Sequence, residues 1–308
     1  MYNFPRPEDL TVFGAVARYA SFKAASKELG MSPAFVSKRV RLLEEQLKVR
    51  LFHRTTRRVT LTDEGERLLS LSSEILVKLD QFVSESGVAT RALRGRLRIC
   101  SSFGFGRTHV GPILSELAEV HPELQIRFEV LDRVIDPGAE NFDLDIRIGD
   151  EIAPHLIARR LASNERLILA SPGYISVHSV PTRLLDLSAH NCIAIKERDH
   201  PVGVWKMVRG GGEETVNVND ALSTNNGEVA VQWALDGRGV LLRSIWDVHE
   251  HLATGRLVRI LPEYSQPANV WAVYPPELRD TRKITTVVAF FKDRLAKLSP
   301  IAEAYLKV

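Results

Sequence analysis

Two short helical segments joined by a two-residue turn constrain this chain more than any other feature. Ser21 precedes the first segment, and a serine at an N-cap accepts a hydrogen bond from an unpaired amide of the first turn. Gly30 ends that segment, and Ser32 begins the second with Pro33 at its first position, where a missing N–H costs nothing. The turn is therefore Gly30-Met31, which is the spacing of a helix-turn-helix motif.

The second segment has two unlike faces. At about 100° of rotation per residue, its apolar positions fall on one side, and these are Val36, Val40, Leu43 and Leu47. The opposite side carries small and basic residues, which are Ala34, Ser37, Lys38 and Arg41. We expect the apolar side to pack against the domain and the other side to be free to enter a groove.

A local basic excess accompanies these helices. The run FHRTTRRVTLT, residues 52–62, predicts a β-hairpin wing, and residues 1–60 hold 12 Lys and Arg against 5 Asp and Glu. The rest of the chain holds 29 against 33. Clustered cations bind duplex DNA by displacing counterions from its phosphates. A merely solvated basic helix is the alternative, but caps, turn, apolar face and wing agree on a DNA-binding domain. The predicted DNA contacts are Ser32, Pro33, Ala34, Ser37, Lys38, Arg41, Arg54, Arg57 and Arg58, with Arg39 as a further phosphate candidate.

Three runs of residues in this part resemble one family. They are DLTVFGAVARYASF from Asp9, SPAFVSKRVRLLEEQL from Ser32 and RLFHRTTRRVTLTDEGERLL from Arg50. Together they resemble the N-terminal domain of the LysR-type bacterial transcriptional regulators over more than fifty positions. Pro33 departs from the pattern, because many members carry at that position a glutamine that can contact DNA.

A long proline-free segment follows, from Thr62 to about Ala92. Apolar residues recur along it at spacings of seven, four and three, namely Leu68, Ile75, Leu79 and Phe82. At about 1.5 Å per residue the helix would span roughly 45 Å, too long for one small domain to cover. The resemblance implies that the same helix of a second subunit covers the stripe, in a homodimer or homotetramer. The alternative is a helix packed on its own chain.

The remaining residues alternate between strand and helix patterns. LRICSS, ELQIRFEVL and NFDLDIRIGD read as strands around a helix, a second unit begins near Leu161, and the chain returns near Pro267. Two α/β lobes with two crossings resemble the type 2 periplasmic-binding-protein fold of LysR effector domains. The predicted fold is α/β, with a winged helix-turn-helix at 1–62, a dimerisation helix at 63–93 and a two-lobed effector domain at 94–308. Lobe I is expected at about 94–161 and 267–308, and lobe II at about 162–266.

Polar residues at strand ends predict a site for a small anion in this domain. Ligands of open α/β sheets bind beyond the carboxyl ends of strands, where Ser101, Ser102 and Phe103 lie. Arg147 would bring a forked donor suited to a carboxylate, although an ion pair with Asp145 or Asp150 is an equal alternative. The polar loop Thr224-Asn225-Asn226 either binds the anion or caps the next helix. GFG does not complete a GxGxxG fingerprint, so we expect no dinucleotide.

The resemblance becomes more specific in the second half. SSFGFGR, DLDIRIGDEIAPHLIARRLA, IKERDHPVGVW and LPEYSQPANVWAVY resemble LysR-type regulators of D-malate utilisation. This implies a hydroxy-dicarboxylate effector such as D-malate or tartrate. The effector positions it implies are Ser101, Ser102, Arg147, Ile148, Gly149, Trp205, Asn225 and Asn226, with Arg198, His200 and Arg243 as additions; Phe103 is predicted from its place at the strand end.

Other classes of function are poorly supported. His249-Glu250-His251 lacks the four-residue spacing of a zinc pair, no G-x-S-x-G elbow exists, and Cys100 and Cys192 have no ligand spacing. We therefore expect no catalytic residues, metal or cofactor, and two buried, reduced thiols. An architectural DNA-binding protein would not need the clamp. No run approaches the roughly 20 apolar residues of a membrane helix and no signal-peptide core is present, which predicts a cytoplasmic protein without a membrane partner. The expected partners are double-stranded DNA, a small anionic effector and a second copy, with RNA polymerase as a further candidate.

Overall fold

A computed structural model describes residues 4–54, 59–85, 93–131, 133, 135–140, 142–196 and 202–303. Contacts between Cα atoms divide the chain into two compact units. The first unit comprises residues 1–92, 138–141 and 276–285, and the second comprises residues 93–137, 142–275 and 286–308. The boundaries expected for domains and lobes stay predictions.

The first unit contains a winged helix-turn-helix, as the sequence predicts. Its elements are α1 (Pro7–Tyr19), α2 (Phe22–Leu29), α3 (Pro33–Leu47), β1 (Phe52–Arg54), β2 (Val59–Leu61) and α4 (Asp63–Glu85). Both predicted caps are confirmed, because Ser21 Oγ accepts from the Ala24 amide and Ser32 Oγ from the Phe35 amide, each at 3.2 Å. Gly30 ends α2 at a φ of 65°, in the left-handed region that favours glycine.

The core of this unit is built around the predicted apolar face of α3. Val36, Val40 and Leu43 are fully buried there. Phe13 of α1 and Phe52 of β1 pack edge to face, with their ring centroids 5.5 Å apart. β1 pairs antiparallel with β2, which forms the predicted hairpin. The turn of that hairpin, residues 55–58, lies outside the described residues.

The second unit contains two sheets with helices around them. Its strands are β3 (Gly95–Ser101), β4 (Leu124–Val130), β5 (Leu144–Ile148), β6 (Ile157–Ala162), β7 (Glu165–Ala170), β8 (Asn191–Ile195), β9 (Val204–Arg209), β10 (Gly212–Asn217), β11 (Asn219–Thr224), β12 (Val240–Ser244), β13 (Val258–Arg259), β14 (Gln266–Pro267) and β15 (Val270–Tyr274). Its helices are α5 (Phe103–Phe105), α6 (Gly111–Val120), α7 (Pro172–His178), α8 (Gly227–Leu235) and α9 (Ile245–Ala253), and α10 (Arg282–Glu303) closes the chain. A π-helical turn, Gly106–Val110, joins α5 to α6.

The strand order separates two lobes. One sheet has the order β4-β3-β5-β15-β6, and the other has β11-β8-β12-β7-β13 with β14 also paired to β7. β9 and β10 form a separate hairpin. The chain passes from the first sheet to the second between Ala162 and Glu165 and returns after Pro267, so the two predicted crossings are confirmed.

The two crossings are joined by hydrogen bonds from one buried residue. Asn164 Nδ2 donates to the Ala268 carbonyl at 2.6 Å, and the Ala268 amide donates to the Asn164 carbonyl at 3.0 Å. The Asn164 Oδ1 atom also accepts from Ser244 Oγ at 3.0 Å. This places Ser244, at the end of β12, beside the two crossings.

Cys100 and Cys192 are both buried thiols, as predicted, and burial raises the pKa of the Cys192 thiol to about 12. Among the helices that the structure describes, none has the length and apolar character that crossing a bilayer requires.

Candidate functional site

The outward face of α3 carries the side chains predicted to contact DNA. Ser32, Pro33, Ala34, Lys38 and Arg41 are exposed, and Ser37 is half-buried. The buried face lies on the opposite side, so these residues form a continuous surface on one side of the helix. A helix with this division can enter the major groove of duplex DNA without losing its packing.

Arg39 belongs to the packing of the domain instead. Its Nε atom lies 2.7 Å from Asp9 Oδ1, and one terminal nitrogen lies 3.3 Å from Glu8 Oε2. The Arg39 side chain is only 12% exposed, and that of Asp9 is 4% exposed. These contacts tie α3 to α1, so Arg39 is withdrawn as a phosphate candidate.

Arg54 is likewise held within the domain. A terminal nitrogen of its guanidinium lies 2.6 Å from Glu44 Oε2, and the group lies over the Phe22 ring, 4.8 Å from its centroid. Glu44 Oε1 accepts from the Leu51 and Phe52 amides at 2.9 and 3.3 Å. Arg54 therefore braces the wing against α2 and α3. The other two wing arginines, Arg57 and Arg58, lie outside the described residues.

An apolar stripe is exposed along α4. Ile75, Leu79 and Phe82 are 53%, 39% and 73% exposed, so three of the four predicted residues form an apolar stripe on the surface of the helix. The fourth predicted member, Leu68, packs against the core of the first unit, because it lies in the first turns of α4 beside that core. Leu71, which the sequence reading did not include, is exposed and extends the stripe.

A cavity in the second unit lies among the ends of several strands. Its lining residues are Ser102, Gly104, Leu131, Ile148, Arg166, Asn225, Gly227, Arg243, Ser244 and Asp247. Four of them were predicted effector residues: Ser102, Ile148, Asn225 and Arg243. The cavity has a volume of about 40 Å³, enough for one or two water molecules. A four-carbon dicarboxylate could enter only if the walls moved apart.

Arg243 lies in the wall of this cavity in a closely defined position. Its Nε atom is 3.0 Å from Asp247 Oδ2, and both side chains are nearly buried. A Cβ atom added to Gly227 would lie 1.9 Å from one terminal nitrogen of the Arg243 guanidinium and 2.1 Å from its Cζ. The guanidinium therefore occupies space that only a glycine at the start of α8 leaves open.

Arg166 is a second cavity arginine, and the sequence reading missed it. A terminal nitrogen donates to Gln266 Oε1 at 2.6 Å, and the residue also lines an adjoining pocket of about 310 Å³ with Gly149 and Trp205. Binding residues are expected where strands end, but Arg166 is near the start of β7. Because β7 runs antiparallel to β12, Arg166 pairs with Ser244 and so reaches the carboxyl end of β12.

Several predicted effector residues are engaged elsewhere in this structure. Ser101 Oγ donates to the Ile146 carbonyl at 2.6 Å and is buried inside the sheet. Arg147 forms the ion pair that the sequence offered as the alternative to ligand binding. Its Nε donates to Asp145 Oδ2 at 2.6 Å, and the residue is 3% exposed. The Asn226 Oδ1 atom caps α8, accepting from the Glu228 and Val229 amides.

The other predicted effector residues do not line the cavity either. Phe103 is 43% exposed and is absent from both cavity walls. Gly149 and Trp205 line only the adjoining pocket. Arg198 and His200 lie outside the described residues. The structure therefore places about a third of the predicted effector residues around one cavity. The cavity wall also contains Arg166, Ser244 and Asp247.

The charges of the cavity wall favour an anionic ligand. Its ionisable residues are Arg166, Arg243 and Asp247, so the wall carries one positive charge in excess. Guanidinium groups bind carboxylates through two parallel hydrogen bonds, and such charge-assisted bonds are about twice as strong as neutral ones. Within the part of the chain that the structure describes, no three His, Cys, Asp or Glu side chains are grouped to hold a metal ion.

Comparison with known proteins agrees with these two halves. A family model described as a bacterial regulatory helix-turn-helix protein of the lysR family matches residues 7–66, and one described as a LysR substrate binding domain matches residues 90–296. The chain is 52% identical over 300 residues to the HTH-type transcriptional regulator DmlR of Escherichia coli (strain K12), covering 97% of this chain and 98% of that protein. It is 43% identical over 288 residues to the HTH-type transcriptional activator TtdR of the same strain, covering 94% and 93%.

A solved structure extends the match to the whole fold. The full-length structure of the Vibrio cholerae virulence activator AphB, a member of the same family, has a TM-score of 0.53 and 26% identity, covering 93% of this chain and 98% of that chain. The matches to DmlR and TtdR each cover more than nine-tenths of both chains. This chain therefore belongs to the LysR family of transcriptional regulators, which act by binding DNA and are not enzymes.

Proposed function

We propose that this regulator binds its operator through α3 and responds to a small hydroxy-dicarboxylate, D-malate or tartrate, held by Arg166 and Arg243. The observation that carries the effector part is the presence of two guanidinium groups and one carboxylate in a single cavity wall. The choice of D-malate or tartrate rests on the resemblance of the second half to regulators of D-malate utilisation. No bound cofactor is part of the proposal.

The two arginines suit the two ends of a dicarboxylate. Each carboxylate can take a forked pair of hydrogen bonds from one guanidinium, and the hydroxyl can bond to Ser102 or Asn225, which also line the cavity. Binding requires the cavity to widen from about 40 Å³. The adjoining pocket, which shares Arg166 with the cavity, offers the nearest space into which it can extend.

Assembly would run through the exposed stripe of α4. Leu71, Ile75, Leu79 and Phe82 present apolar side chains at spacings of four, four and three. Pairing two such stripes removes apolar surface from water, at about 25 cal/mol for each Å² buried. A homodimer with two α3 helices reads two half-sites, so the spacing between the half-sites adds to specificity. A homotetramer would be a pair of such dimers, and RNA polymerase is a further proposed partner at the promoter.

The ligand can control DNA binding only through a difference in its affinity for two states of the assembly. A tenfold preference for one state is worth about 1.4 kcal/mol per site. In a dimer with two equal sites, the two contributions add, so a modest preference is enough to shift the assembly between two arrangements on DNA.

The effector part is tested by calorimetry on the full-length protein. We expect D-malate or a tartrate to bind the wild type, and Arg166→Gln and Arg243→Gln each to weaken that binding at least tenfold with the fold intact. Arg183→Gln is the matched control, because this exposed arginine lies outside the cavity and pairs with its sequence neighbour Asp186. No binding of malates or tartrates by the wild type would refute the effector; equal binding by all variants would move it to another site.

The DNA part is tested on DNA that the full-length protein selects from a random pool. Lys38→Ala should weaken binding, because Lys38 is exposed on the outward face of α3. Lys23→Ala removes a lysine from α2, outside the predicted reading face, and serves as the control. Equal affinity of the wild type and Lys38→Ala for the selected DNA would contradict the assignment of α3.

A further inference from the structure

Phe35 is an aromatic side chain exposed at the start of α3. It is 43% exposed, whereas Phe13 and Phe52 of the same unit are 1% and 2% exposed. A single exposed apolar residue is ordinary on a protein surface. Its position decides its meaning here, because it lies in the first turn of the helix assigned to the major groove. Any role of Phe35 on DNA therefore rests on that proposed function of α3.

The first turn of α3 offers DNA little besides apolar surface. Pro33 and Ala34 have no polar side-chain atom, and the Ser32 hydroxyl oxygen already accepts from the Phe35 amide. No amide, carboxylate or guanidinium side chain is present in these positions, 32–35. Since most direct base recognition uses such groups, this end of the helix needs another way to distinguish bases.

The major groove has one apolar feature, the 5-methyl group of thymine. Phenylalanine is among the side chains that contact it. At about 100° per residue, Phe35 lies at the edge of the outward face, between buried Val36 and exposed Ala34. A side chain at that edge points towards the wall of the groove, where the methyl group of a thymine projects beside its own strand.

Neighbouring contacts restrict the Phe35 ring. The Arg39 guanidinium lies over it, 5.8 Å from the ring centroid. Arg39 is itself held by Asp9 and Glu8 of α1. The ring therefore rests on a fixed neighbour one turn along the helix, and its remaining free side faces solvent. A ring held in this way loses little side-chain entropy on meeting DNA.

We infer that Phe35 is a specificity-determining residue that reads the 5-methyl group of a thymine in the operator half-site. Its contribution is sequence-selective because only thymine carries that methyl group. It differs from that of Lys38, whose charge favours DNA of any sequence if it contacts phosphate. The operator should therefore contain at least one thymine whose methyl group, rather than its hydrogen-bonding edge, determines recognition.

The test replaces each thymine of the selected DNA by deoxyuridine, one position at a time, which removes the methyl group and leaves base pairing unchanged. For the wild-type full-length protein we expect one or two positions in each half-site at which affinity falls about fourfold, the weight of one buried methyl group. Phe35→Ala should bind thymine and deoxyuridine equally at those positions. Phe35→Leu should retain part of the discrimination.

Two further variants separate the possible failures. Phe4→Ala removes another exposed phenylalanine, outside α3, and should keep the wild-type deoxyuridine profile. If Lys38→Ala weakens binding but Phe35→Ala and Phe35→Leu keep the wild-type profile, the role of Phe35 is overturned and that of α3 survives. If neither Lys38→Ala nor Phe35→Ala changes binding, the assignment of α3 itself fails. A wild type that is insensitive to every deoxyuridine also overturns the inference.

Discussion

The close approach of Gly227 to Arg243 allows the proposed effector site to be altered without removing either arginine. A methyl group added at Gly227 would lie 1.9 Å from a guanidinium nitrogen, whereas ordinary contacts begin near 3.4 Å. In Gly227→Ala the end of the Arg243 side chain must therefore move by about 1.5 Å, which is the difference between the two distances. That shift is large enough to break the 3.0 Å contact with Asp247 and misplace the donors of the guanidinium.

The expected loss follows from the bonds that the misplaced guanidinium can no longer make. A hydrogen bond to a charged group contributes about 1.5–3 kcal/mol. Its loss corresponds to a dissociation constant of the effector that is roughly 10- to 100-fold larger. The fold should be kept, because the atoms displaced are the far end of a side chain and alanine favours helix over glycine. The Arg243–Asp247 contact is nearly buried, so its loss should lower the free energy of unfolding by about 1–3 kcal/mol.

The assay is calorimetry with D-malate and the tartrates, alongside urea denaturation of the same samples. Gly173→Ala is the matched control, because it also lies in the first turn of a helix of the same unit, and an added Cβ there meets no atom within 4 Å. Wild-type effector affinity in Gly227→Ala would show that the position of the Arg243 guanidinium does not matter. The proposed site would then be wrong.

Three other perturbations have definite expected results. Arg147→Ala should lower the free energy of unfolding by about 3–5 kcal/mol in urea denaturation, because it removes one side of a buried ion pair with Asp145. A fully stable variant would contradict this structural role. The double variant Ile75→Asp and Leu79→Asp should sediment as a monomer, because burying each carboxylate in the dimer interface would cost roughly several kcal/mol. An unchanged mass would show that the interface lies on another surface. Burial lowers the pKa of His109 in the folded protein below its usual value of 6.5. As the pH drops below 6.5, the unfolded chain therefore takes up the histidine proton before the folded protein does, and the free energy of unfolding should fall. The loss should be smaller in His109→Asn, and an identical loss in that variant would exclude His109 as a source.

The helices of the winged helix-turn-helix could be predicted from the sequence because their caps and their apolar faces are local features. Ser21 and Ser32 cap helices through amides only three residues away, and the burial of Val36 follows from helical periodicity alone. Such features depend on residues that are close in the sequence, so they can be predicted without knowing the fold. The alternation of strands and helices predicted the two-lobed domain for the same reason.

The roles of arginines were the hardest to predict, because their partners depend on packing between distant segments. Arg39 and Arg54 look like phosphate contacts in the sequence, but Asp9 and Glu44 come close to them only in the folded domain. Arg166 was missed because its place beside the carboxyl end of β12 depends on the antiparallel direction of β7, which periodicity does not reveal. Charge alone therefore identifies a basic surface, but not which guanidinium groups are available to a ligand.

The coupling between effector and DNA is the central claim, and one equilibrium measurement tests it most directly. The affinity of the full-length protein for selected DNA is measured by fluorescence anisotropy with and without D-malate or tartrate, and effector affinity is measured with and without that DNA. Because binding free energies are linked, we expect the two ratios to be equal and to differ from one. If saturating effector changes neither the DNA affinity nor the length of DNA protected in a footprint, the chain is not regulated by these ligands.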